Sequence, residues 1–317
     1  MMNFQLRHNL LITTFIIVII ATMWLLMRGL SYSFDILQSK KPEPLTDNEL
    51  VSKEVSYVEK IDHFALQEFD AHQRLSHFVE ADQYYNFKNN PALLINPRVV
   101  TYDQQGEENY ILTSKRANYL ETGGVKFKGQ VDVSSSNGVS HKMNTQELLV
   151  NTKTDDLVSD KKVTYLGENA KILSQGMHMQ TKADKMKLAG DTVIHQDSGQ
   201  KMLTKDLYID QSNNQKHYYA DNKTTYLSTE NKIYAQGLDM LGDVTQLFGQ
   251  VNILQNSGSR IDTKDLTVNQ SNGEQLYTTD NGIHYQSNVA DIRAKGMRYD
   301  AGRQKIKFTG GVVGQYD

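Results

Sequence analysis

The feature that most constrains this chain is an internal repeat with a period of roughly 60 residues, the self-similarity that marks stacked structural units. Three segments align without a gap: VTYLGENAKILSQG (163–176), TTYLSTENKIYAQG (224–237) and IHYQSNVADIRAKG (283–296). They bring Tyr165, Tyr226 and Tyr285 into correspondence, together with Ile172, Ile233 and Ile292 and the closing glycines Gly176, Gly237 and Gly296. A second block keeps the same period in TQELLVN (145–151), TKDLYID (204–210) and TKDLTVN (263–269). A third block comprises FKGQVDV (127–133), LAGDTVI (188–194), LFGQVNI (247–253) and FTGGVVG (308–314). Its glycines Gly129, Gly190, Gly249 and Gly310 recur at nearly constant spacing. Self-similarity at a fixed period means that one supersecondary unit is stacked on copies of itself, with a continuous core between neighbours.

Within a repeat the apolar period is two. Val125, Phe127, Gly129, Val131 and Val133 share one face, and Lys126, Lys128, Gln130 and Asp132 share the other. Leu148 with Val150, Leu207 with Ile209, and Leu266 with Val268 keep the same alternation. Such a pattern marks strands with one apolar and one solvated face. Turn signals punctuate them: Ser-Asn-Gly at 136–138, Ser-Gly at 257–258, and Asn-Gly at 272–273 and 281–282. The last proline is Pro97, so none occurs from Arg98 to Asp317. Proline removes a ladder donor, so this stretch reads as continuous hydrogen-bonded sheet.

A glycine on the apolar face of a strand leaves a gap or permits a bend. Its recurrence at one phase predicts a curved sheet whose bends are stacked along the array. Gly176, Gly237 and Gly296 read as backbone requirements, through a positive φ or a tight strand exit that admits no Cβ. Each strand supplies only two or three inward apolar side chains. So thin a lining predicts a long groove, filled either by its own side chains or by something long and apolar.

The stretch from Leu10 to Met27, LLITTFIIVIIATMWLLM, contains no charged residue. As a helix it spans roughly 27 Å, close to the ~30 Å of a bilayer's hydrocarbon. Arg7 and His8 precede it, as in a secretory signal. A signal's apolar core is usually about 7–15 residues long, however, and no A-x-A site follows here. The segment therefore reads as an uncleaved single transmembrane helix with its N-terminus cytoplasmic, and Trp24 fits the interfacial aromatic belt. A polar tether carrying Pro42 and Pro44 follows. The expected organisation is a tail (1–9), transmembrane helix (10–30), tether (31–62), first β portion (63–195) and further β repeats (196–317).

Several function classes find no support. A net charge of −3 argues against a nucleic-acid binder. With no cysteine, neither a disulfide nor a thiolate metal site is available. His72 and His77 lack a third ligand at metal-site spacing and read as surface residues. Asp155 and Asp156 sit in a turn-like context with no facing carboxylate. The chain shows no catalytic constellation, no cofactor motif and no G-x-x-x-x-G-K-S/T loop, so it reads as a non-enzymatic, all-β protein behind a membrane anchor.

After the anchor and tether come FDAHQRLSHFVEADQYY (69–85), NPRVVTY (96–102), YILTSKRANYL (110–120), VKFKGQVDV (125–133), NTQELLV (144–150), VTYLG (163–167) and SQGMHM (174–179). In that order they resemble the LptC family, the bitopic component of the lipopolysaccharide export bridge, whose relatives LptA and the LptD N-terminal domain share the OstA-like fold. The resemblance covers about residues 63–195. It implies a twisted, open, V-shaped β-jellyroll whose apolar interior receives lipid A acyl chains. It also implies an inner-membrane anchor with the β portion in the periplasm, and association with LptF and LptG, whose ATPase is LptB. Lipopolysaccharide would pass onward to LptA by strand-edge addition. The inward positions it marks for lipid contact are Leu94, Val100, Tyr102, Tyr110, Leu112, Phe127, Val131, Leu148, Val150, Tyr165, Ile172, Met177 and Met179. Leu94 aligns with an aromatic that faces lipid in relatives. Two further copies of the repeat depart from the family pattern, as if an LptA-like stretch were fused on. The competing reading is an anchored β-repeat scaffold that binds envelope proteins without carrying lipid.

Overall fold

In the long strands from Gly124–Ser135 onward one face is apolar, broken by an occasional threonine such as Thr145 or Thr192, and that face is the buried one. The computed structural model describes residues 57–316, except 121–123, 137–141, 168, 213–214 and 272–273. The expected transmembrane helix, its preceding tail and most of the tether lie outside the described residues, as do Asn137-Gly138 and Asn272-Gly273 of two turn signals. Among the described residues no helix is long and apolar enough to cross a membrane. A 3₁₀ turn, Thr181–Ala183, interrupts a chain otherwise built of strands. The first strand, Tyr57–Phe69, begins ahead of the expected boundary at 63 because Ile61, Phe64 and Leu66 already pair with the following strand.

The strands follow a four-layer plan. Two long antiparallel strands, Gly124–Ser135 and Lys142–Asn151, are followed by two layers that are each split in half. Asp156–Ser159 and Val163–Leu166 form one split layer; Ala170–Ser174 and Gly176–Gln180 form the next. The plan repeats from Lys185–Gln196 and again from Val244–Gln255. It also holds at the front, where Tyr57–Phe69 and Leu75–Phe87 precede the split layers of residues 92–102 and 108–120. This front copy carries no sequence signature of the repeat. At its corner stands His63, at φ 56, where the later copies have glycine.

All pairings are antiparallel and the ladder is unbroken from Tyr57 to Tyr316. The expected boundary at 195/196 falls at the end of the strand Lys185–Gln196, which pairs with Ala170–Ser174 and Gly176–Gln180 on one side and Lys201–Asp210 on the other. Residues Tyr57–Asp317 accordingly form one compact unit.

Each long strand serves two arms, and the chain turns from one to the other at a corner. Gly129, Gly190, Gly249 and Gly310 occupy those corners at φ values of 76, 74, 78 and 70°. In the first three, two residues of one strand oppose a single residue of its partner, which is a β-bulge. The second and third corners add a side-chain brace: Gly190 N–H donates to Asp206 Oδ1 at 2.8 Å, and Gly249 N–H to Asp265 Oδ1 at 2.7 Å. Asp206 and Asp265 are themselves left-handed, at φ 53 and 51°; glutamate stands at the matching position 147 of the first corner, and there Gln130, beside Gly129, takes the second left-handed position at φ 52°.

Gly176, Gly237 and Gly296 have no positive φ. What they need is closeness: a Cβ would meet the carbonyl oxygens of Ser159, Ala220 and Thr279 at 2.8, 2.6 and 2.7 Å. Gly237→Ala should therefore lower stability by about 1–3 kcal/mol, as overpacking does. Gly282→Ala, with nothing within 4 Å of its Cβ, should stay within about 0.5 kcal/mol. Urea denaturation of the two variants beside the parent checks this.

Candidate functional site: an apolar slot between two arms

The inner faces of the two arms look at each other across a slot, and register lines their side chains into files with one residue per strand. In one arm the file starts at Val79, Val99, Leu112, Val133 and Met143. It continues through Tyr165, Ile172, Ile194, Met202 and Tyr226. It ends with Ile233, Ile253, Ile261, Tyr285, Ile292 and finally Gly314. At about 4.8 Å per strand this file spans roughly 70 Å with no polar residue other than the tyrosine hydroxyls. The facing arm carries a second file from Tyr119 and Val125 through Val150, Leu157, Met179 and Met186 to Ile209 and beyond, in which Thr245 is the one non-aromatic polar residue.

The expected lipid positions divide between these files and their surroundings. Leu112, Tyr165 and Ile172 lie in the first file; Val150 and Met179 lie in the second. Leu94, Phe127 and Leu148 form a deeper row nearer the corners, with Ala117 between them. Val131 and Met177 are buried at similar depth, and Tyr110 sits near the rim of its arm. Val100 and Tyr102 fall outside this core. Val100 is buried on the opposite face, in register with Phe78 and Ile111, and its neighbour Val99 enters the slot instead. A Val-Val pair offers no polar contrast, so alternation alone does not choose between them. Tyr102 is half-buried beside a register shift.

The slot is filled. Leu112, Phe127, Tyr165, Ile172, Ile194 and Tyr226 are all 0% exposed. Facing sheets interdigitate their inner side chains, and the aromatic rings occupy the space that an open groove would leave. At the corner side the packing closes on paired hydroxyls: Thr145 with Ser159 at 2.9 Å, Thr204 with Thr224 at 3.0 Å, and Thr263 with Thr279 at 3.5 Å. The lining continues to both ends of the ladder, where it becomes accessible. Leu66, in register with Val79, is 38% exposed at one end, and Tyr316, on the face of Gly314, is 75% exposed at the other.

The opposite side, the mouth, is bridged by polar contacts from arm to arm. Tyr119 Oη donates to Glu68 at 3.2 Å. His77, expected at the surface, is buried there, with Nε2 3.1 Å from Asp155 Oδ1 and Nδ1 3.7 Å from Glu68. Lys182 meets the other Asp155 oxygen at 2.5 Å. Tyr110 is hydrogen-bonded to Asp184, and Tyr165 to Tyr218. Tyr226 Oη accepts from Gln270 and Gln275 at 3.1 and 3.2 Å, and Tyr299 donates to Glu230 at 2.9 Å. Burial, reinforced by Asp184 for Tyr110 and by Tyr218 for Tyr165, pushes these phenols well above their ordinary range, so they stay protonated. Tyr299 is pushed up to about 12, by burial first and then by Glu230. Sequence pattern had no means of finding these pairs, because their members stand far apart in the chain.

Every buried side-chain oxygen or nitrogen without a hydrogen bond among the described residues also lies at this mouth. They are His77 Nε2, Asp155 Oδ1, Gln196 Oε1, Asn231 Oδ1 and Tyr277 Oη. His77 Nε2 and Asp155 Oδ1 are close but at an angle short of a hydrogen bond. Tyr277 likewise lies near Tyr226 and Asn231 without a well-aligned bond. Among the described residues no group of three or more His, Asp or Glu side chains is placed to hold a metal ion.

These features define a class of elongated antiparallel β protein that has a long apolar interior in place of a compact cleft. Within it, the chain belongs to the LptC family: the family described as lipopolysaccharide-assembly, LptC-related, matches residues 15–197. The protein is thus related to lipopolysaccharide transport, and residues 198–317 lie beyond the match. Among curated proteins none matches the chain.

Burial opposes ionisation of Asp155, but the facing His77 and Lys182 outweigh it and hold the carboxyl below its ordinary 3.8. A lowered folded-state value stabilises the fold above the unfolded pKa and is lost as pH falls through the folded one. Asp155→Asn should therefore be less stable than the parent at pH ~6, and the gap should close below pH ~4. Urea denaturation of both proteins across that range measures it.

Proposed function

We propose that this protein is a non-enzymatic conduit for lipopolysaccharide, anchored in the inner membrane by residues 10–30 with its β portion in the periplasm. Acyl chains lie in the slot, in contact with Leu94, Leu112, Phe127, Leu148, Tyr165 and Ile172 among the lining, while the sugar head stays outside. The cargo arrives from the LptB/LptF/LptG extractor near the strand Tyr57–Phe69 and leaves to LptA from the far edge. Residues 63–195 supply the family's own unit, and residues 196–317 extend the same track within one chain.

The observation that carries this reading is the unbroken apolar file, which runs strand by strand from Val79 to Gly314 and reaches an accessible edge. A self-contained core is normally capped by polar residues at its ends. Among the described residues the strands Lys305–Thr309 and Val313–Tyr316 have no partner on their outer edge, with Ile306 and Phe308 only partly covered. Such an edge suits strand addition by a partner that continues the slot. On this reading the edge that meets LptA is the extension's, not that of the family unit.

A photo-crosslinking amino acid at Phe127, and another at Ile253 in the extension, should both capture lipopolysaccharide in cells; capture at neither position would leave the scaffold reading standing. Truncation after His195 should keep association with LptF and LptG but remove capture beyond the family unit, as read by co-purification.

A further inference from the structure

Aliphatic side chains at the mouth would close two apolar arms without burying a single hydroxyl. This protein instead places tyrosines there, and Tyr165 and Tyr226 are 0% exposed. Each reaches across to a polar group on the other arm that is distant in the chain, Tyr165 to Tyr218 and Tyr226 to Gln270. The contacts recur once or twice per repeat, so they form a seam along the slot and not an isolated site. The seam is also the one place where buried polar atoms among the described residues go without partners: Tyr277 and Asn231 are 1% and 3% exposed, and neither Tyr277 Oη nor Asn231 Oδ1 has a hydrogen bond. A buried polar atom without a partner destabilises the closed arrangement, and water would satisfy it if the mouth parted.

We propose that this seam is a lateral gate, and that acyl chains reach the slot sideways along its length, with Tyr110, Tyr165 and Tyr226 as the clasps. The inference rests on the conduit reading and adds how the cargo enters and advances: delivered at the Tyr57–Phe69 end, it moves along the slot as the lips part repeat by repeat, with its sugar head outside. End-on loading would push a chain through a filled file roughly 70 Å long, displacing every ring in turn. Parting the lips breaks only the few clasps of one repeat. It leaves the ladder intact, because among the described residues no strand-to-strand pairing crosses the mouth. The left-handed corners, whose bulges interrupt the long-strand pairing, are where the arms hinge. Orphaned groups gain water as the lips open, which offsets part of the loss of the clasps. At the corner side, by contrast, the hydroxyls are paired and the interior stays shut.

The chain has no cysteine, so two introduced thiols label uniquely. Ser198→Cys and Asp243→Cys place spin labels in exposed turns on opposite lips, on either side of the Gln196–Met240 contact. In the full chain, double electron–electron resonance should report one short, narrow distance. Adding Tyr165→Phe and Tyr226→Phe, which keep the rings and remove the clasps, should at least double the population at longer distances. The same substitutions should speed lipopolysaccharide capture at Ile253 several-fold, and a short bismaleimide joining the two cysteines, which closes the lips beside that position, should reduce capture there at least five-fold. An unchanged distance distribution in a variant with the parent's circular dichroism overturns the gate, whatever lipid capture does. Undiminished capture in the bridged protein overturns it as well. A widened distance without capture in any variant supports the gate as a moving part and removes the conduit reading instead.

Discussion

Everything in this architecture depends on turning an antiparallel ladder through a corner without breaking it. A long strand that serves two arms must bend sharply, and the left-handed backbone at Gly129, Gly190 and Gly249 provides that bend at little steric cost. The extra residue of each bulge keeps the inward side chains inward on both sides of the corner. Phe127 and Val131 both face the slot, as do Leu148 and Thr145 on the partner strand, although the spacing of the latter pair breaks simple alternation. Because the corners stack, the slot they enclose is continuous. A corner out of phase would divide the interior into separate cores.

The two sides of the slot are built on different physics. The corner side is closed by covalent continuity, backbone pairing and satisfied hydroxyls. Among the described residues the mouth is closed by side chains alone, with no backbone bond across the gap, and it holds all the unsatisfied buried polar atoms. On the proposed conduit reading the apolar interior must both exist without cargo and accept it, which is a conflict: empty apolar space is unstable, and a dense core admits nothing. A filled slot with a weakly bonded mouth resolves that conflict. Family membership relates the protein to lipopolysaccharide transport, and the strand plan continues past the matched residues without change.

Much of this was legible in the sequence, for identifiable reasons. Alternation at Val125–Val133 and the period of Gly129, Gly190 and Gly249 directly encode strands and stacked bends, because both are local demands on side chains and backbone. The front copy escaped because His63 takes the left-handed corner that glycine takes elsewhere, and a repeat is visible only where the same residue solves the same problem. Val99 and Val100 were interchangeable on paper; pairing with Val79 and Leu112 chose Val99. Gly176, Gly237 and Gly296 were recognised as backbone requirements, but crowding by a neighbouring carbonyl, not φ, is the requirement they meet. His77 looked like a surface residue because nothing near it in the chain announces Glu68 above it or Asp155 across the mouth.

By itself, then, the sequence determined the all-β class, the period, the phase of the bends, the apolar face of most strands and the resemblance to the LptC family. Those properties rest on interactions between residues a few positions apart, or on the recurrence of a pattern. Only the tertiary structure decided that one ladder continues past residue 196, that the slot is filled, and that tyrosines and charged groups meet across its mouth. Those outcomes depend on which strands become neighbours and how the two arms face each other. Partners as distant in the chain as Tyr226 and Gln270, or His77 and Asp155, leave no local trace of having met.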